Sequence, residues 1–66
     1  MKIDLISFRA AKALIDQHGI EASRIASLKL ERLLDSDDFH GAVVWVRILA
    51  AAEELARDRR EGEALH

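Results

Sequence analysis

The stretch DFHGAVVWVRILAAAEELARDRR, from Asp38 to Arg60, is the longest in which helical patterning is sustained, and it constrains everything else. Wound as a helix, it confines His40, Arg47, Glu54 and Asp58 to one narrow strip and leaves more than half of its circumference apolar. Trp45, Leu49, Ala52 and Ala56 form one stripe. Val44, Ile48 and Leu55 flank it on one side, and Phe39, Ala42 and Val46 on the other. A helix so widely apolar requires more than one neighbour.

With 66 residues the chain makes a single domain, and a domain of that size buries only ~60% of its unfolded surface. It has no cysteine, which removes both a disulfide framework and a thiolate zinc site as reinforcement. Regular helices, a partner, or both must supply the stability. Proline is absent and β-branched residues cluster only at Val43, Val44 and Val46, the isoleucines standing singly, which favours helix. Ten basic residues against twelve acidic ones give a net charge of −2, so no global field draws the chain to nucleic acid or an anionic membrane. The opening MKIDLISF is charged too early for a signal peptide, and nowhere do apolar residues run long enough to span a bilayer. A cytoplasmic protein is expected.

Asp4 is placed to cap the first helix. In LISFRAAKALIDQ, Ser7, Phe8, Ala10, Ala11, Leu14 and Ile15 share an inner face, and Arg9, Lys12 and Asp16 lie opposite. His18 and Gly19 end it, with Gly19 in the left-handed conformation and Ile20 packing back. A second helix follows from about 21 to 34, its inner face made by Ala22, Ile25, Ala26, Leu30, Leu33 and Leu34. Lys29 interrupts that face, where its stem is buried while the ammonium reaches water. Leu28 lies among polar residues, where it offers a second contact surface, although a single exposed leucine needs no explanation and most have none. The acidic turn Asp35–Asp38 supplies a cap for the third helix from Ser36 or Asp38, and its charge suits that helix's positive end. The expected fold is all-α: a small three-helix bundle with helices at about 4–18, 21–34 and 38–60. The first two form an antiparallel hairpin, the third lies against both, and 61–66 form a frayed tail.

An internal echo offers the one candidate for metal chemistry. Asp16-Gln17-His18-Gly19 and Asp38-Phe39-His40-Gly41 share the pattern D-x-H-G, and Asp16, His18, Asp38 and His40 are good transition-metal ligand types. The first copy falls at a helix end and the second at a helix start, so in a hairpin about 20 Å would separate them. No metal site is expected, and no other cofactor. His18, His40 and His66 are the available general acids or bases, but no glycine-rich phosphate loop, nucleophile elbow or HExxH accompanies them. Catalysis is not expected. A helix-turn-helix reading fails on charge, because the first turns of the third helix carry Asp37 and Asp38 where phosphates would lie. The cluster Arg57, Asp58, Arg59, Arg60 is the cationic end that a helix dipole favours.

The pattern A-x-x-L-I-x-x-H-G-x-x-A over Ala11–Ala22, followed by D-x-x-G-A-x-x-W-x-R-I-L-x-A-x-E-E-L over Asp38–Leu55, resembles a group of short, mostly alphaproteobacterial proteins of unknown function. The ending, Arg60-Glu61-Gly62-Glu63 with Leu65-His66, is similar as well. The resemblance implies a compact helical protein of the bacterial cytoplasm and carries over no substrate, cofactor or catalytic residue. In that group glycine precedes the acid of the second turn and an acid precedes the following glycine; Asp37 and His40 stand there in this chain. If the turn needs a left-handed residue, Asp37 must supply it, a conformation that aspartate tolerates better than most.

From the residues, the favoured function is protein binding, with the chain itself as a partner in a homodimer. The apolar excess of the third helix assigns Val44, Trp45, Ile48, Leu49 and Leu55 as the contact surface. Trp45 serves equally well as the core of a monomer. The alternative is a small regulator that touches nucleic acid through Arg24, Lys29 and Arg32.

Overall fold

The computed structural model describes the backbone of residues 4–64 and the side chains of residues 4–57. The fold is all-α, with no strand among the described residues. Helix α1 spans Leu5–His18, a single 3-10 turn spans Gly19–Glu21, α2 spans Ala22–Asp35, and α3 spans Phe39–Ala64.

Asp4 begins α1 in extended conformation, its carboxylate accepting from the Ser7 N–H at 2.8 Å and from the Ser7 hydroxyl at 3.0 Å. The second bond explains how Ser7 lies on the buried face without an unpaired polar atom. At the other end Gly19 has φ 59 and ψ −130, a positive φ as expected, but with ψ far from the left-handed helix. The packing-back of an apolar residue belongs to the left-handed cap. With this ψ the chain leaves in another direction, and Ile20, expected to fold back, is 100% exposed.

The second turn is built the other way. Asp37 takes φ 59, its N–H donates to the Leu34 carbonyl and the Asp38 N–H to the Leu33 carbonyl, the bonding of a Schellman cap. Asp38 then turns from closing α2 to opening α3: its carboxylate accepts from the Gly41 N–H at 3.0 Å. Ser36, the other expected cap, instead donates its hydroxyl back to the Arg32 carbonyl at 3.0 Å. One residue thus holds both sides of the turn.

Helix α3 packs along both α1 and α2, which touch one another far less than either touches α3. The expected hairpin contact between the first two helices is therefore the minor one. Leu33 lies beside Gly41, and Ser23 beside Glu53 and Arg57, so α2 runs antiparallel to α3. Ala11 of α1 packs among Ile48, Ala51 and Ala52, with Ala10, Leu14, Trp45 and Leu55 closing around them. Alanine dominates the core, since among the described residues Ala11, Ala22, Ala26, Ala42, Ala51 and Ala52 are buried and only Ile15 and Ile48 of the larger apolar residues join them. Small side chains let the helix backbones approach closely. They also bury little apolar area each.

Two residues assigned to inner faces lie further out than expected, Phe8 at 38% and Leu34 at 46% exposure. The end of α3 also differs from expectation. Residues 61–64, read as a frayed tail, continue the helix, because Gly62 costs a helix only about 1 kcal/mol and does not by itself end one. Residues 65–66 lie outside the described residues.

Candidate interaction surface

Phe39, Val43 and Val46 stand on one line of α3 at 62%, 52% and 46% exposure, and half-buried Ala50 continues that line one turn further. Beyond it the same line turns to charge at Glu53 and Arg57, both exposed, with Arg57 donating to Glu54 at 2.8 Å. His40, Arg47 and Glu54, the polar strip expected from the sequence, flank this line on one side and are exposed.

The residues assigned to the contact surface from sequence lie mostly elsewhere. Ile48 is buried in the core, and Trp45 and Leu55 are half-buried against it. Leu49 is half-buried, and only Val44, 49% exposed, offers an open side chain. The physical reason is the position of the two companions of α3, which cover the Trp45 side and leave its opposite side bare. A signal for this was present. The line Trp45, Ile48, Ala52, Leu55 stays apolar along its length, as a covered face does, whereas Phe39, Val43, Val46, Ala50 gives way to Glu53 and Arg57.

Exposed apolar side chains recur on the other helices, with Leu5 and Ile6 of α1 at 62% and 81% and Leu28 of α2 at 49%. Leu28 lines an open depression of about 450 Å³ together with Ile25, Lys29, Glu31, Arg32 and Asp35. All six come from α2, so this is a groove along one helix and not a cleft between elements. Lys29, whose stem was expected inside, is exposed.

The depression also contains two of the three residues of the nucleic-acid alternative. Lys29 and Arg32 alternate there with Glu31 and Asp35, and Arg24 donates to Glu21 at 3.0 Å. Each cation has an acid close by, so no unbroken basic surface forms.

The two D-x-H-G segments are not brought together. Among the described residues no three His, Asp or Glu side chains are grouped to hold a metal ion. His18 and His40 are exposed, and His66 lies outside the described residues. Among the described residues, Asp4 is the group whose acidity is displaced. Its carboxyl is held below the ordinary value of 3.8 by the bonds from the Ser7 N–H and hydroxyl, with a smaller contribution from the nearby charge of Arg47.

Comparison with protein-family models, with curated proteins and with solved structures yields no match. Among the described residues no helix is long and apolar enough to cross a membrane.

Proposed function

We propose that this chain is a small, non-enzymatic interaction protein of the bacterial cytoplasm that works as a three-helix bundle and self-associates through α3. The observation that supports this reading is an inverted pattern of burial. Alanines fill the core, while Phe39, Val43, Val44 and Val46 of α3 remain about half exposed or more. A chain of this size without disulfides gains little from such a core, and covering the larger side chains supplies the missing apolar burial. The contact surface assigned from sequence is carried forward in α3 through Val44, with the outer line of Phe39, Val43 and Val46 added from the observed exposure.

Sedimentation equilibrium over a wide concentration range tests the reading. The expected result is a mass that rises from 7.4 kDa towards twice that value. A folded chain that stays monomeric at the highest concentration removes self-association. The nucleic-acid alternative through Arg24, Lys29 and Arg32 has weaker support, since acids stand beside each of the three; retention of duplex at low salt would restore it.

A further inference from the structure

We propose that a second copy of this chain covers the outer line of α3, the two α3 helices lying antiparallel about a two-fold axis near Val46 and Ala50. This rests on the self-association reading and adds to it the face, the occupant and the orientation.

Area is the first argument. The chain exposes 5208 Å², whereas a compact monomer of 7.4 kDa exposes ~4,200 Å². Part of that exposure lies on the outer line, where Phe39, Val43 and Val46 are 62%, 52% and 46% exposed, and a standard interface takes ~800 Å² from each partner.

Spacing is the second. Phe39, Val43, Val46 and Ala50 recur at intervals of four, three and four residues, the seam by which one helix packs lengthwise on another. Val46 and Ala50, at the centre, carry no charge, so two copies meet there without like-charge repulsion, and in the same register the aliphatic stem of Glu53 lies over Val43 with its carboxylate at the rim.

Charge fixes the direction. When Val46 of one copy lies over Ala50 of the other in antiparallel order, the same register sets Phe39 opposite Arg57 of the second copy. That guanidinium then reaches the acidic turn of Asp37 and Asp38, and symmetry makes the contact twice. A parallel pair would instead set Arg57 against Arg57 and acidic turn against acidic turn. Antiparallel order also opposes the two helix dipoles.

The test is sedimentation equilibrium of the full chain alongside V43E, V46E and two controls that place the same charge on apolar side chains off the seam, I6E and L28E. The expected result is a dimer that V43E and V46E each weaken at least tenfold and that the controls leave unchanged. A dimer indifferent to V43E and V46E overturns this inference while leaving self-association standing. A wild-type chain that is monomeric throughout overturns both. Should a seam variant unfold, crosslinking decides, because the chain has no cysteine of its own. Mixed V46C and A50C chains are expected to form a disulfide with each other, and neither variant with itself. Self-crosslinking of each single variant would mean a parallel pair and would overturn the proposal.

Discussion

The two D-x-H-G segments spell the same pattern and make opposite structures. In the first, Asp16–Gly19, the chain is leaving α1, and Gly19 is needed for its backbone: φ 59 with ψ −130 is a region that residues with a Cβ avoid, yet no neighbouring atom lies within 4 Å of where that Cβ would sit. In the second, Asp38–Gly41, the chain is entering α3 and Gly41 is an ordinary helical residue in a crowded place. A Cβ there would lie 2.9 Å from the Asp38 carboxylate and 3.1 Å from Leu33. One glycine is required by torsion, and the other stands where space is tight. A shared pattern of letters therefore carries no shared function here, and the position of each copy in its helix decides what its glycine does.

Substituting the two glycines is the sharpest way to break this comparison. Gly19→Ala is expected to destabilise by about 2 kcal/mol, since nothing nearby rewards the added methyl and the strained torsion remains. Gly41→Ala has two opposing effects of similar size, a gain in helix propensity of about 1 kcal/mol and a disturbed cap worth about as much. Its expected net effect is near zero. Urea denaturation at one fixed protein concentration measures both, and equal losses would show that the distinction between torsion and space is mistaken.

A cycle with the cap sharpens the second half. Asp38→Ala is expected to cost about 1 kcal/mol by removing the acceptor for the Gly41 N–H. In that background the carboxylate no longer resists a Cβ, so Gly41→Ala turns from neutral to stabilising by several tenths of a kcal/mol. Purely additive effects would mean that the carboxylate does not limit the site.

Asp4 is the second N-terminal cap, and the residue three positions on is Ser7 instead of glycine. Because its carboxyl titrates lower in the folded chain than in the unfolded one, the unfolded chain takes up more protons as the pH falls. The contribution of Asp4 to stability is then complete above pH 3.8 and is lost as the pH drops through the lowered folded value. Asp4→Asn should lie below the wild type at pH 7 and converge on it at strongly acid pH; a gap that does not narrow would assign the cap's effect to shape and not to charge.

How much of this was legible in the sequence depends on whether local or distant atoms decide the outcome. The caps at Asp4 and Asp38 and the breaks at Gly19 and the acidic turn are local and follow from residue types at helix ends. The inner faces of α1 and α2 were legible where small residues mark close approach, as at Ala11, Ala22 and Ala26. Which side of α3 stays bare was marked only by the charges of Glu53 and Arg57 that end the Phe39 line, because helix periodicity says that Trp45 and Phe39 point in different directions but not where α1 and α2 will lie. The wide apolar arc made both sides eligible. The outward position of Ile20 was not legible either, since a glycine by its residue type fixes neither ψ nor the direction in which the chain leaves.

A last comparison sets Asp37 against Gly19, the two residues with positive φ among those described. The Schellman bonding puts Asp37 in the left-handed helical region, which aspartate enters at modest cost. Glycine there removes the residual strain but gives up freedom in the unfolded chain, so Asp37→Gly is expected to gain only about 0.5 kcal/mol. The converse exchange is not symmetric. Gly19→Asp should lose about as much as Gly19→Ala, about 2 kcal/mol, because ψ −130 lies outside the region that aspartate tolerates. If Gly19→Asp were as mild as the presence of Asp37 suggests, positive φ alone would govern both turns and the difference in ψ between them would carry no weight.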